Sequence, residues 1–274
     1  RRLTLADDSG LIVKALGAVP MALTVLVGDP KGEGRSLDYR LRVCSDAQDR
    51  QCLPGLGAVE LAHGTMTAGE NTIVLSGASH PAQAILPDEE RTPMLVSVLQ
   101  KDAYRGLGGI RVPLVLELSS PDGAERILAQ KLMIYSCQFL PGQTTNVAPV
   151  LQGFTARGET WNDDAPLDVK GSEEIAIDAA DFSRLEEDYV VAGFDLKPIP
   201  LHESWKLSWL TTQGRMSEYQ TGGTDFAGQS GRHRVKWIPN LRSGESEDVF
   251  FYVVARDGRG GTSWVSRRAR LTPR

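Results

Sequence analysis

The chain has 274 residues, 41% of them hydrophobic and 24% charged, with a formal net charge of -5 and a sequence pI near 5.5. That length suits one large or two ordinary domains, and the composition excludes a disordered chain. No apolar run approaches the roughly 20 residues of a membrane-spanning helix, and an acidic protein has no electrostatic reason to approach a phosphate backbone, so nucleic acid is not an expected partner.

The chain opens on Arg1-Arg2, with no Met and no signal peptide, which reads as a processed or trimmed start compatible with export. Short apolar runs between Gly, Pro, Asn and Asp turns then predict strands over 11–16, 22–27, 38–43, 71–75, 94–99, 110–118 and 130–136. That number suits an immunoglobulin-like sandwich. The turn-rich segment 28–36 is predicted to be an exposed loop, and 123–130 has weak helical character. Cys44 and Cys52 flank a polar loop, a spacing that can close a small disulfide ring. Two free thiols are the alternative, and a metal site lacks further Cys or His nearby. Cys137 is then left as a small apolar residue at a strand end.

At 140–149 the hydrophobic pattern stops in a stretch rich in Pro, Gly, Thr, Asn and Gln, predicted to be an extended linker between a domain at 1–139 and a second at 150–274. Strands of the second domain are expected over 150–156, 167–170, 174–178, 205–211, 233–238, 249–256 and 262–271, with a helical turn within 178–189. Trp205, Leu207 and Trp209 alternate with Lys206 and Ser208, so one face points to a core. The run 249–255 is apolar on both faces, as in a central strand covered on its outer side. The last hairpin, Asp248 to Leu271 through Gly258-Arg-Gly260-Gly261, has a blurred counterpart in Met94 to Leu118 through Gly108-Gly109. Together these features predict an all-β chain of two tandem immunoglobulin-like β-sandwich domains. Both glycine runs lead into strands and so predict hairpin turns rather than phosphate loops, with Asp102 and Asp257 bonding turn backbone.

Several local features carry a family likeness: the opening strand with Asp29-Pro30, Leu37-Asp-Tyr39-Arg40, the Cys44 to Cys52 loop, Asn146-Val-Ala-Pro149, Leu207-Ser-Trp209, Thr221-Gly-Gly-Thr224 and Arg256-Asp257-Gly-Arg-Gly-Gly261. Covering most of the chain, they make it resemble the two-domain lipoproteins of myxobacterial-type cell envelopes. The resemblance implies immunoglobulin-like domains behind a lipidated Cys, and hence export to the cell envelope, with the outer membrane as the expected location. The sequence shows no lipobox or leading Cys, so peripheral membrane attachment through an N-terminal lipid rests on the resemblance.

Candidate chemistry is sparse. His63, His80, His202 and His233 lie in unrelated segments without a Gly-x-Ser-x-Gly elbow and are expected at the surface, so the chain is not expected to be an enzyme. Asn162, Asp163, Asp164 and Asp168 crowd one loop and Asp178 and Asp181 the next. These residue types suit Ca2+, but without Asp-x-Asp-x-Asp-Gly spacing they are expected to be solvated turn carboxylates, and no cofactor is expected. Trp161, in Glu159-Thr-Trp-Asn-Asp, is expected to be exposed, and with Tyr219 and Phe226 of the long 213–231 connection it forms the expected binding surface. Arg267, Arg268 and Arg270 are expected to guard a terminal edge strand. The resulting expectation is a non-catalytic structural or adaptor subunit whose partners are other envelope proteins. A cell-surface glycan-binding module, resting on Trp161, is the alternative.

Overall fold

The computed structural model describes residues 13–29, 32–53, 55, 57–87, 91–136, 138–171, 173–223, 233–240 and 246–273. The described residues are nearly all β, 48% strand and 6% helix, and fit the β-sandwich class. It divides into two compact units, 1–137 and 138–274.

The first unit contains β1 (Met21–Val27), β2 (Leu37–Cys44), β3 (Ala58–Met66), β4 (Gly69–Leu75), helix α1 (Met94–Lys101), β5 (Ile110–Ser119) and β6 (Arg126–Tyr135). An antiparallel sheet in the order β3-β2-β5-β6 and the separate pair β1-β4 enclose Leu41, Val43, Ile73, Leu75, Val112 and Leu114. Met94, Leu95 and Val98 of α1 complete this core. Their spacing is that of one helical face, and it overrides the apolar run that predicted a strand at 94–99. Pro93 supplies a preset φ of -60° immediately before the helix. The likeness between 94–118 and 248–271 is therefore one of sequence, because its first limb is a helix here. Two further expectations change. Residues 13–16 form a helical turn where a strand was expected, with 11 and 12 outside the described residues. Residues 123–130 are a turn leading into β6, closed by Ser120 N donating to Glu125 O at 3.0 Å and Gly123 N to Ser120 O at 2.8 Å.

The expected disulfide is present: Cys44 and Cys52 are bonded, with Cα atoms 5.6 Å apart. The Asp49 carboxylate accepts the amides of Gln51 and Cys52, each at 2.9 Å, which fixes the ring. The bridge packs on Val115 and Ala58, away from the main core, and so covers the outer side of the sheet. Cys137 lies outside the described residues.

The second unit contains β7 (Phe154–Ala156), β8 (Glu159–Thr160), β9 (Leu167–Lys170), β10 (Ile175–Ala179), β11 (Asp188–Ala192), β12 (Pro198–His202), β13 (Lys206–Thr211), β14 (Arg215–Met216), β15 (Gln220–Gly222), β16 (Arg234–Ile238), β17 (Glu247–Arg256) and β18 (Thr262–Thr272). Two five-stranded sheets, β14-β16-β10-β7-β8 and β15-β13-β17-β18-β9, share one core. Trp205 and Trp209 are buried in it, as their alternation requires. Phe251 takes Trp161 and Trp237 edge-on, with centroids at 5.1 and 4.8 Å. β9 runs parallel to β18, so the chain enters one sheet as β7 and crosses to the other as β9. Gly222 has φ +77, and a Cβ there would collide with the Trp205 carbonyl, so the β13-β15 approach requires glycine.

Residues 178–189 contain a single turn at 183–185, closed by Leu185 N donating to Phe182 O at 2.9 Å, and lead into β11. Two readings of this unit are corrected. β18 lies between β17 and β9, so its arginines guard no edge. Arg267 instead donates Nε to Trp161 O at 2.7 Å and lies over Phe154, while Arg270 pairs with Asp248 at 3.1 Å. The outer side of β17 is only half-buried, at Phe250, Tyr252 and Val254.

Candidate functional site

Of the three residues expected to form a binding surface, Trp161 is only 4% exposed and belongs to the core. It directly follows β8; its amide donates to Phe154 O at 2.8 Å, its carbonyl accepts from Arg267 Nε at 2.7 Å, and its ring packs edge-on against Phe251. Its Nε1 has no hydrogen-bond partner among the described residues. Tyr219 is exposed, and Phe226 lies outside the described residues. Trp161 and Tyr219 thus share no surface: one faces the core and the other solvent.

The fold assembles a polar cluster that the sequence did not announce. The turn after β17 is tied by Asp257, whose Oδ1 accepts the amides of Arg259 at 2.7 Å and Gly261 at 2.9 Å, while Oδ2 accepts the Asn146 side-chain amide at 2.7 Å. The same turn carries Arg259 to Glu187 at 2.9 Å and to the buried Glu203 at 3.0 Å, with the guanidinium 4.3 Å from the Tyr189 ring centroid. Glu203 also accepts from Trp205 Nε1 at 2.9 Å and Glu187 N at 3.2 Å. With its oxygens engaged by these donors, Glu203 acts as an electrostatic clamp. The cluster pins segment 138–149 and the base of β11-β12 to the end of the sandwich.

The histidines divide by environment. His63 pairs with Glu60 at 2.8 Å, and His202 faces Asp188 at 2.8 Å. His80 is buried, contrary to its expected surface position, because its Nδ1 accepts the Ala82 amide inside the turn at 80–83. Burial pushes its pKa down. Two of the carboxylates serve local structure: Asp178, within β10, pairs with Arg234 at 2.8 Å, and Asp181 accepts the Ser183 amide at 3.0 Å. Among the described residues, no group of three or more His, Cys, Asp or Glu side chains is gathered closely enough to hold a metal.

Two exposed features stand out. β11 and β12 form a hairpin outside both five-stranded sheets. Its tip is closed by Gly193 N to Lys197 O and Leu196 N to Gly193 O, both 2.9 Å, and by Lys197 N to Asp195 Oδ1 at 3.1 Å. Hydrogen bonds from Lys197 hold the Asp195 carboxyl below the usual carboxylate range. Leu196 sits in the left-handed region at φ +61, and Phe194 and Leu196 are 83% and 57% exposed. A leucine there costs about 1 kcal/mol that Gly or Asn would avoid, so the tip displays apolar side chains against a backbone preference. The second feature is the outer face of the β15-β13-β17-β18-β9 sheet. In register, Ser208, Val254 and Trp264 form one row and Leu210, Tyr252 and Ser266 the next, beside Phe250 and the exposed Arg268. The apolar alternation on both faces of 249–255 was the sequence signal for this patch, whereas the Pro198-Ile-Pro-Leu limb of the hairpin carried no strand signal.

No protein-family model matches this chain, and no curated protein matches it. Among solved structures, the chain is similar to dimeric latent PorU from Porphyromonas gingivalis at 12% identity and a TM-score of 0.26, over 94% of this chain and 22% of that one. The chain therefore spans 22% of the length of that protein, and a likeness at this TM-score carries no inference to this chain.

Proposed function

We propose that this chain is a non-catalytic structural or adaptor subunit of a bacterial cell-envelope assembly, exported and anchored peripherally by an N-terminal lipid. The single observation that carries the adaptor reading is the β11-β12 hairpin, which lies outside both five-stranded sheets with a hydrogen-bonded tip and exposed Phe194, Leu196, Ile199 and Leu201. Such a patch suits insertion into an apolar pocket of another protein. The strand connectivity of the second unit supports an immunoglobulin-like assignment, since the split first strand, the β15-β13-β17-β18 order and the buried Trp209 follow that plan. The Cys44–Cys52 disulfide is consistent with export, and no helix among the described residues is long and apolar enough to cross a membrane. The envelope location and the lipid rest on the resemblance.

The test pairs Leu196→Asn, which suits the left-handed backbone, with Phe194→Ser in the full chain. Both variants are expected to fold, and the pair is expected to release the chain from its assembly. Unchanged co-purification of the double variant would refute the hairpin's role. A second reading, glycan binding, moves from the buried Trp161 to Trp264, Tyr252 and Phe250 on the outer sheet face, where aromatic rings lie beside Ser208, Ser266 and Arg268. Trp264→Ala would then abolish retention on envelope polysaccharide.

A further inference from the structure

We infer that the β11-β12 hairpin is a knob that seats in a preformed apolar cleft of another protein, read through its side chains and without strand addition along β12. This rests on the adaptor reading and names the kind of partner and the mode of contact. The hairpin ladder fixes which groups point outward. Gly193 N donates to Lys197 O and Glu203 N to Glu187 O, both at 2.9 Å, and these pairs bracket the register Asp188↔His202 to Ala192↔Pro198. Bonded and non-bonded pairs alternate along an antiparallel ladder, so Tyr189↔Leu201 and Val191↔Ile199 are bonded and positions 198 and 200 face away from β11. Proline occupies both of those outward positions. The outer edge of β12 thus offers no main-chain donor at either, which blocks an added strand there, whether from a partner or from a second copy.

Side chains are what the hairpin presents instead. Ile199 and Leu201, 44% and 41% exposed, stand opposite Val191 and Tyr189 on one face. Exposed Pro198 and Pro200 stand opposite Ala192 and Val190 on the other, and Phe194 and Leu196 sit at the tip. A knob that is apolar on both faces matches a cleft with two apolar walls. Its base is held by the chain itself: Arg259 bonds Glu187 and Glu203, which flank the two strands, and lies 4.3 Å from the Tyr189 ring centroid. The tip is closed by its own hydrogen bonds. A hairpin fixed at both ends loses little conformational freedom on binding.

The tip also decides between a protein and a lipid surface. Asp195 and Lys197 form an ion pair at 3.0 Å between and beside the two apolar residues, and hydrogen bonds from Lys197 keep the Asp195 carboxyl ionised. Sinking Phe194 and Leu196 into hydrocarbon would carry this pair with them, at a cost comparable to the gain from two apolar side chains. A protein cleft avoids that cost, because polar groups at its floor can bond the pair while its walls take the apolar flanks. The partner is thus a folded protein whose cleft has apolar walls and hydrogen-bonding groups at its floor.

The test places a photo-crosslinking phenylalanine analogue at Phe194 in the full chain in its native envelope, with the same analogue at the exposed Tyr219 as a control. The expected result is an adduct from Phe194, absent from Tyr219, that mass spectrometry maps to residues lining an apolar cleft of one other protein. In the detergent-extracted assembly, Phe194→Ser with Leu196→Asn weakens retention of the chain by about 30-fold or more, the scale of losing two anchors. Pro200→Val restores an outward N-H and leaves retention within about twofold. An adduct with lipid or with a second copy of this chain, or no adduct at Phe194, would overturn the inference. So would sedimentation of the chain with vesicles of phosphatidylethanolamine and phosphatidylglycerol that the double substitution abolishes. Tighter retention of Pro200→Val would reveal strand addition, removing the cleft and leaving the adaptor reading standing. A wild-type chain that migrates alone removes the adaptor reading itself.

Discussion

Replacing Glu203 by Ala tests the clamp that holds one end of the second unit together. The Glu203 carboxylate is fully buried, 3.0 Å from Arg259 Nη1, and it accepts from Trp205 Nε1 at 2.9 Å and Glu187 N at 3.2 Å. Breaking a buried ion pair from one side costs about 3–5 kcal/mol. Arg259 keeps Glu187 at 2.9 Å, the Thr144 carbonyl at 3.3 Å and the Tyr189 ring, so its charge is not stranded, and the lower end of that range applies. Most of the loss then comes from Trp205 Nε1 and Glu187 N, left without acceptors. The expected loss for Glu203→Ala is about 3 kcal/mol; Glu203→Gln keeps an acceptor and costs about 1–2 kcal/mol. Arg259→Met combined with Glu203→Leu is expected to cost less than the sum of the two single losses, because the bond between the two side chains is counted in each. All five Trp residues lie in this unit, so urea unfolding followed by Trp fluorescence reports it selectively. A loss below about 1 kcal/mol for Glu203→Ala, or strictly additive effects in the double variant, would refute the clamp.

Other consequences follow from packing and charge. Cys44→Ala with Cys52→Ala opens a ring of sequence separation 8 and is expected to cost about 2–3 kcal/mol, read as a lower thermal midpoint. Trp161→Ala removes a core ring and is expected to cost about 3–5 kcal/mol in urea without a selective loss of ligand binding, the opposite of an exposed platform residue. His80 has a folded pKa below its unfolded value of 6.5, so the unfolded state takes up the proton first. Its contribution is complete above pH 6.5 and is lost as pH falls through the folded value, and His80→Asn, which keeps an acceptor for Ala82, should flatten that slope in amide exchange across β2 and β5. For Glu117, burial favours the neutral acid, but hydrogen bonds from Arg42 and Arg126 prevail and hold its carboxyl below 4.5. Its stabilisation is therefore present above pH 4.5 and is lost as pH falls through the lower folded value. Glu117→Gln should lessen the acid sensitivity that remains in His80→Asn.

Residues with a single strong preference were legible in the sequence. The Cys44 to Cys52 spacing, the Trp205-Leu207-Trp209 alternation and the backbone-bonding Asp102 and Asp257 are local signals, and the structure contains each of them. Where tertiary context decides, local pattern misled. Met94 to Lys101 is rich in apolar residues that suit a strand, yet its buried positions follow helical spacing. Ala58 to Met66, with Ala, His and Gly among its residues, pairs as β3 because β2 offers an edge, with little propensity of its own. Trp161 lies among polar sequence neighbours, and tertiary packing against Phe251, with its carbonyl held by Arg267, makes it core. The candidate surfaces were least legible, since the β11-β12 hairpin contains two prolines in one strand and its place outside both five-stranded sheets depends on the tertiary fold.

The central claim is that the chain works as part of an assembly, and gentle detergent extraction of native membranes with sizing and mass spectrometry tests it most directly. The account predicts that the chain migrates with a larger complex of reproducible composition. Migration alone, as a single species of 29.8 kDa plus any lipid, would contradict it.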